Sequence, residues 1–323
     1  MLVMVQTSTD SLHRMPMPAA PTLTLSEALA QAHAHWDAGQ AQRAEQLCRY
    51  VLARWPGQPD ALHLLGLMAH AYGHLDLAIG HLREACKAPH VSAAMASDLA
   101  EMCRQRGCLA EAEAAGRRAV ATEPSLASGW NNLGIVLQEA GKLEESRTCL
   151  ERVVALQPDS PQAHNNLANT CHRLGHTELA ERHYQQALQL DPDYARAHSN
   201  LAHLFSADGR HEEAIDEAQR AIDLDPQLID AYLNLAEAHG ARHQHARALH
   251  TLAMVRTFAA QHPAVLVASA RALEQADRLD EALRFARQAV ALAPLDAEAQ
   301  TTLDAILHAC GQTDAHALRP GDA

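Results

Sequence analysis

The chain has 323 residues, of which 48% are apolar and 3% are aromatic, and its formal net charge is −13 at pH 7. A negative charge of this size argues against general binding to the nucleic acid backbone, because the phosphates would repel it. A core with so few aromatic rings must be built largely from Ala and Leu, which favours closely packed helices over strands.

Cysteine usage and hydropathy indicate the compartment. The seven cysteines include no Cys-x-x-Cys pair, which favours small buried thiols in a reducing environment. Residues 1–5 form too short an apolar run for a signal peptide, and no segment has the length of a membrane span. We therefore expect a soluble cytoplasmic protein with no membrane partner.

The first stretch of the chain differs from the rest. Residues 1–23 contain Pro16, Pro18 and Pro21 among small and polar residues, which predicts a disordered leader. Thr24 and Glu27 then fit a capping box, in which each side chain accepts from the backbone N–H of the other residue. This pattern predicts that the first helix begins next to Thr24.

From this point a 34-residue period runs through eight consecutive units over residues 25–296. Within each unit, positions 8, 20 and 27 hold small residues, position 15 is usually Gly and position 32 is usually Pro. Small residues allow two helices to approach closely, Gly ends the first helix and Pro closes the second. Each unit therefore predicts a helix hairpin that buries its apolar face only by stacking on its neighbours. The units begin at Leu25, Pro59, Ala93, Ala127, Pro161, Ala195, Ile229 and Pro263.

This pattern resembles the tetratricopeptide repeat (TPR) family, whose motif has an aromatic at position 4, Leu at 7, Gly or Ala at 8, Ala at 20 and 27, and Pro at 32. The resemblance covers residues 25 to about 310. It implies an all-α fold, a right-handed α-solenoid of eight TPR helix hairpins. Residues 297–310 continue the pattern of a first helix and predict a capping helix, followed by a disordered tail over 311–323.

The seventh unit departs from the pattern in two places. His243 replaces the turn glycine, and Ala260 replaces the closing proline. Without these stop signals, we expect its second helix to continue to about Gln261.

The asparagines are unusually distributed. The chain has seven, and all lie in the first helices of repeats four to seven: Asn131, Asn132, Asn165, Asn166, Asn169, Asn200 and Asn234. Asn132, Asn166, Asn200 and Asn234 share position 6, which lies opposite the packing positions 4, 7, 8 and 11 of the helix. The simplest alternative is that position 6 merely tolerates a small polar residue that faces water.

The column is similar to the asparagine ladder in the TPR half of O-GlcNAc transferases, where such residues grip the substrate backbone on the concave wall. An asparagine amide offers a donor and an acceptor, which match the N–H and C=O of a peptide. The resemblance therefore implies a groove that binds an extended peptide, with position 6 as the ladder and Asn131, Asn165 and Asn169 beside it. We include Arg173 and Arg196, which lie on the same predicted wall.

Other chemistries are less well supported by the sequence. A carboxylate clamp needs basic residues on the inner wall, but acids such as Asp98 and Glu237 offset the arginines there. The pairs His70/His74, His172/His176 and His239/His243 have the spacing of metal ligands, but each runs into a helix end, where the spacing is easily lost. His164 and His198 occupy position 4, where a hydrogen-bonded, half-buried imidazole is the expected role.

Catalysis is not predicted. A sugar-nucleotide transferase needs alternating strands and helices with a phosphate-binding loop, and residues 25–310 are all assigned to helix hairpins. The chain is therefore predicted to be a protein–protein interaction scaffold without enzyme activity, cofactor or metal. One alternative is a substrate-presenting or regulatory subunit, or a truncated relative, of an O-GlcNAc-transferase-like glycosyltransferase. Another is a spacer within a larger envelope or secretion complex.

Overall fold

A computed structural model of the chain describes residues 23–89 and 91–311. The regular structure in these ranges consists of seventeen α-helices without a strand. The chain divides into two compact units, one ending at Cys108 and the other beginning at Leu109. The predicted leader lies outside the described residues up to residue 22, and the predicted tail lies outside them from residue 312.

The first unit contains two helix hairpins and one further helix. Its helices are α1 (Leu25–Asp37), α2 (Ala41–Arg54), α3 (Pro59–Ala71), α4 (Leu75–Ala85) and α5 (Ala93–Gln105). Helix α1 packs on α2, and α3 packs on α4. The N-terminal end of α1 has the predicted capping box, because Thr24 N–H donates to Glu27 Oε2 at 2.9 Å and Glu27 N–H donates to Thr24 Oγ1 at 3.3 Å.

The second unit contains twelve helices in its described part. They are α6 (Leu109–Thr122), α7 (Ala127–Glu139), α8 (Leu143–Leu156), α9 (Pro161–Arg173), α10 (Thr177–Leu190), α11 (Ala195–Ala207), α12 (His211–Leu224), α13 (Ile229–Ala241), α14 (His245–Val255), α15 (Pro263–Gln275), α16 (Leu279–Leu292) and α17 (Ala297–Ala309). From α7 onward, each first helix pairs with the helix that follows it, and α17 packs on α15 and α16. This is the all-α solenoid architecture predicted from the repeats.

Small side chains at fixed positions bring the paired helices close together. Ala168, Ala180 and Ala187, at positions 8, 20 and 27 of repeat five, are completely buried. Repeat four has Gly134 at position 8, where a Cβ atom would lie 2.8 Å from Leu150 Cγ. The packing of α7 on α8 therefore requires the absence of a side chain at this position.

The turn between the two helices of a repeat requires a left-handed residue. Glycines at position 15 have φ between +71° and +80° in six repeats, and His243 and Asp277 take the same role with φ of 58° and 57°. The seventh repeat therefore keeps its turn without glycine. The prediction that its second helix continues to about Gln261 is wrong. Helix α14 ends at Val255, and Thr257 Oγ1 donates to the Met254 carbonyl at 2.7 Å beyond this end.

Position 4 of the first helices in the second unit connects neighbouring repeats. Trp130, His164, His198 and Tyr232 donate side-chain hydrogen bonds of 3.0–3.1 Å to the carbonyl of the proline six residues earlier, which belongs to the preceding repeat. This shared contact explains why Trp, His and Tyr can occupy the same position. It confirms that His164 and His198 are hydrogen-bonded, although both are buried rather than half-buried.

The last helix covers the apolar face of repeat eight. Leu303, Ile306 and Leu307 are buried in a cluster that includes Leu273 and Leu283 from α15 and α16. Within residues 23–89 and 91–311, no helix has both the length and the apolar character that crossing a membrane requires.

Candidate functional site

The first helices of the second unit line one wall. In this unit α9 contacts α7 and α11, α13 contacts α11 and α15, and α15 contacts α17. In contrast, no comparable contact joins one second helix to the next among the described residues of this unit. Helices that touch along one side of a stack while the other side splays apart form the shorter, inner side of a curve. We call this surface, made by α7, α9, α11, α13, α15 and α17, the inner wall.

The asparagines lie on this wall at two depths. Asn132, Asn166, Asn200 and Asn234, at position 6, are partly exposed. Asn131 and Asn169 are also partly exposed, whereas Asn165 is only 4% exposed. The Asn165 side chain lies between adjacent first helices, where its Oδ1 atom accepts a hydrogen bond from Asn200, and a direct contact of Asn165 with a ligand stays a prediction.

Hydrogen bonds join the asparagines of successive repeats. Asn166 Nδ2 donates to Asn131 Oδ1 at 2.9 Å, and Asn200 Nδ2 donates to Asn165 Oδ1 at 2.9 Å. Asn234 Nδ2 continues the series by donating to the Ser199 carbonyl at 2.8 Å and to Ser199 Oγ at 3.1 Å. In each case position 6 of one repeat binds position 5 of the repeat before it, 35 residues earlier. The asparagines therefore stabilise the stacking of repeats four to seven.

These bonds orient the amides relative to the inner wall. Asn200 and Asn234 use Nδ2 toward the neighbouring repeat, and their Oδ1 atoms accept no hydrogen bond from the described part of the chain. Asn169 is oriented in the opposite sense, because its Oδ1 accepts a short hydrogen bond from the Tyr184 hydroxyl. Burial raises the pKa of Tyr184, which keeps its phenol protonated as the donor. The partly exposed amides can thus offer acceptors at Asn200 and Asn234 and a donor at Asn169.

The two predicted arginines lie on the same wall with different surroundings. Arg173 is exposed and its Nη1 atom donates to the Gln138 carbonyl at 2.9 Å, 35 residues earlier. Arg196 is exposed and has no hydrogen-bond or ion-pair partner among the described residues. Neither guanidinium is neutralised by a carboxylate of the described chain, so both keep their charge available to a ligand.

Several residues of this network could not be assigned from residue type alone. Ser199 is buried and supplies the acceptors for Asn234, and Tyr184 comes from the second helix behind the wall. The recurring offset of 35 residues between polar side chains at positions 5 and 6 is the signal that could have revealed Ser199. The same offset occurs in the first unit, where the ring of His63 contacts Asp98 at 2.7 Å.

Buried histidines of the second unit have two kinds of partner. The Nδ1 atom of His198 contacts Glu217 Oε2 at 2.5 Å. Burial disfavours the imidazolium, but the hydrogen bonds to Glu217 and to the Pro192 carbonyl outweigh it, and the pKa of His198 is raised. His164 instead contacts His183, Nδ1 to Nδ1, at 3.1 Å. Burial and the charge of His164 lower the pKa of His183.

The predicted histidine pairs have other contacts. His70 Nε2 binds Gln105 Oε1 at 2.9 Å, and His239 Nδ1 binds Gln244 Oε1 at 2.9 Å. His172 lies edge-on to His203 of the next repeat, with 5.4 Å between ring centroids. Among the described residues, no group of three or more His, Cys, Asp or Glu side chains is arranged to hold a metal ion.

Comparisons with known proteins indicate the family. Sequence profiles described as tetratricopeptide repeat match residues 29–91, 125–193 and 173–229, together more than half of the chain. A search of curated protein sequences finds no match.

Solved structures with the same fold are distant in sequence. A tetratricopeptide repeat protein from Parabacteroides merdae is 17% identical, with a TM-score of 0.67 over 77% of this chain and 98% of its own. The APC/C hetero-tetramer Cut9-Hcn1 gives 15% identity and a TM-score of 0.62 over 87% of this chain and 55% of that chain. PilW, a type IV pilus biogenesis factor, is 19% identical, with a TM-score of 0.57 over 65% of this chain and 98% of its own. The repeats, the helix hairpins and the matching profiles agree, and the chain belongs to the tetratricopeptide repeat family.

Proposed function

We propose that this protein is a protein–protein interaction scaffold whose inner wall binds an extended segment of a partner through the segment's backbone. The observation that carries the proposal is the orientation of the position 6 amides. Asn200 and Asn234 direct their donors to the neighbouring repeat and keep acceptor oxygens without a partner among the described residues. Peptide N–H groups are the complement of such acceptors, and every residue of a partner except proline supplies one.

The spacing of the ladder supports an extended ligand. Packed helices lie about 8–10 Å apart, and an extended chain advances about 3.3 Å per residue. One asparagine per repeat would therefore meet about every third residue of the segment. A helical ligand advances only about 1.5 Å per residue and has already used its backbone N–H groups internally, so it would not match the ladder.

The predicted residues keep different roles in this proposal. Asn200 and Asn234 contact the segment directly, Asn132 and Asn166 extend the column toward repeat four, and Asn169 offers a donor. Asn131 and Asn165 position the ladder through the bonds between repeats. The glycosyltransferase partner rests on the sequence resemblance alone and stays a prediction.

A matched pair of substitutions tests the proposal. Asn165→Ala and Asn200→Ala break the same hydrogen bond between repeats five and six, but only Asn200→Ala removes an amide that reaches the groove. Decapeptides selected for binding from a random display library provide the ligands, and fluorescence anisotropy measures their affinities. Asn200→Ala should weaken binding about two- to tenfold, the value of one hydrogen bond, with a larger loss when Asn234→Ala is added.

The control should separate binding from stacking. Asn165→Ala removes only the bond that orients the Asn200 amide, so it should weaken binding less than Asn200→Ala does. Equal losses from both substitutions would refute a direct contact, as would a library that yields no binder at all. Circular dichroism of each variant checks that the helices remain.

A further inference from the structure

The inner wall changes character where the asparagines end. Positions 5 and 6 hold Asn165 and Asn166 in repeat five, but Val267 and Ala268 in repeat eight. Repeat seven is intermediate, with Leu233 at position 5 and Asn234 at position 6. The hydrogen-bonding surface thus gives way to an apolar one along the same column.

A cavity of about 460 Å³ lies at this transition, between α13 and α15. It exists because several lining positions carry small or absent side chains. Ala264 stands at position 2, where repeat seven has Asp230 and repeat six has Arg196. Gly240 stands at position 12, and a Cβ atom there would lie 2.9 Å from Gln275 Oε1. A volume of this size and an apolar floor suit one aliphatic side chain and the backbone beside it.

The charges on the inner wall are distributed unevenly along its length. In repeats five and six, the charged residues at the outward positions 2, 6, 9 and 13 are Arg173 and Arg196. In repeats seven and eight and on α17, the charged residues at these positions are Asp230, Glu237, Arg271 and Glu298.

The charge of Arg271 does not compensate the charges of Asp230 and Glu237. Arg271 Nη1 pairs with Glu298 Oε1 at 2.8 Å. Asp230 and Glu237 are exposed and have no ion-pair partner in the described part of the chain, and Glu237 lines the cavity. The wall is therefore positive in repeats five and six and negative around the cavity.

We propose that the inner wall selects a partner segment by the order of its charges. Such a segment has an aliphatic residue beside basic residues, and acidic residues about four positions away on the other side of the aliphatic residue. The aliphatic side chain enters the cavity, the basic residues lie against Glu237 and Asp230, and the acidic residues lie against Arg173 and Arg196. The spacing follows from the distance of one to two repeats between the two regions. This inference rests on the proposed binding of an extended segment and adds its orientation and composition.

The probe is the synthetic peptide Glu-Glu-Ser-Thr-Ser-Leu-Ser-Arg-Arg, with blocked ends. Its comparison peptide, Arg-Arg-Ser-Thr-Ser-Leu-Ser-Glu-Glu, has the same composition but places Leu beside the acids in either binding direction. We expect the probe to bind at least about threefold more tightly at low salt, with the difference shrinking as salt is added. Replacing its Leu by Ser should weaken binding roughly tenfold or more, because the cavity contact is lost.

Variants of the protein test the same two features. The double charge reversal Arg196→Glu/Glu237→Arg leaves Arg173 and Asp230 in place, so each region then has no net charge and the preference between the two peptides should be lost. Reversal of the exposed outer residue Arg182, as Arg182→Glu, should leave the preference unchanged. Ala268→Phe should fill the cavity and remove the effect of the Leu, whereas Ala155→Phe, at an exposed position on α8, should not.

The outcomes separate this inference from the proposed function. Suppose that library-selected peptides bind through Asn200. Equal affinities for the probe and the comparison peptide would then refute the charge selection, and an unchanged affinity after Leu is replaced by Ser would refute the cavity contact, but neither result would contradict backbone binding by the ladder. If neither selected nor designed peptides bind, both proposals fail.

Discussion

The hydrogen bond between Asn165 and Asn200 should contribute measurably to the stacking of repeats five and six. Asn165 is 4% exposed, so Asn200→Ala would leave the carboxamide oxygen of Asn165 buried without a hydrogen-bond donor. Such an orphaned group costs about 1–3 kcal/mol. Asn165→Ala leaves the N–H of the more exposed Asn200, which water can reach, and should cost about 0.5–1.5 kcal/mol. Each substitution also gains a few tenths of a kcal/mol, roughly, from the higher helix propensity of Ala.

A double-mutant cycle isolates the bond, because the propensity gains cancel in it. We expect a coupling free energy of about 1 kcal/mol between the two sites. Because a repeat array can unfold in parts, native-state hydrogen exchange of the amides in α9 and α11 is the appropriate assay. A second cycle pairs Asn200→Ala with Thr301→Ala, whose hydroxyl bonds within α17, and should be additive. A coupling below about 0.3 kcal/mol between Asn165 and Asn200 would refute the stacking role.

Three further predictions concern single features of the fold. His243 has φ of 58°, so His243→Gly should raise the free energy of unfolding by about 1 kcal/mol, whereas His250→Gly, at an exposed position inside α14, should lower it. Urea titration distinguishes these outcomes, and a loss of stability from both substitutions would contradict the turn assignment. The raised pKa of His198 means that its imidazolium stabilises the fold below the unfolded pKa and that this stability is lost as pH rises through the folded pKa. Glu217→Gln should therefore destabilise the protein more at pH 6 than at pH 9, and an equal loss at both values would count against the pair. Burial raises the pKa of Cys149 from 9.0 to about 11. This thiol should therefore react with a disulfide reagent on the order of a hundredfold more slowly in the folded protein than in the urea-unfolded chain. Similar rates in the two states would disprove its burial.

Most of the architecture could be predicted from the 34-residue period. The small residues at positions 8, 20 and 27, such as Ala168 and Ala180, predicted helix pairs, and the structure has hairpins at those places. These features depend on local spacing along one chain segment, which a sequence displays directly. The prediction that α14 continues to about Gln261 was wrong because it relied on the recurring pattern alone. A left-handed His243 and a hydroxyl bond from Thr257 shape this repeat, and neither belongs to the recurring pattern.

The details of the candidate site could be predicted only in part. Helix geometry located position 6 opposite the packing positions, and the TPR resemblance implied that this face is the inner wall, but neither could show whether position 5 faces the groove or the neighbouring helix. That choice depends on how one repeat is rotated against the next, which is a non-local property of the stack. Asn165 is buried for this reason, and Ser199 has a role that its residue type did not suggest. The cavity beside Gly240 likewise arises from small residues on two helices that meet only in the folded unit.

Backbone recognition by the asparagine ladder is tested most directly on the ligand, because a modified peptide leaves the protein unchanged. A bound decapeptide is N-methylated at each residue in turn, and in a second series each side chain is replaced by Ala. If the Oδ1 atoms of Asn200 and Asn234 accept peptide N–H groups, N-methylation at positions about three residues apart should weaken binding about two- to tenfold, and methylation between them should not. Binding that tolerates N-methylation at every position but depends on side chains alone would contradict backbone recognition.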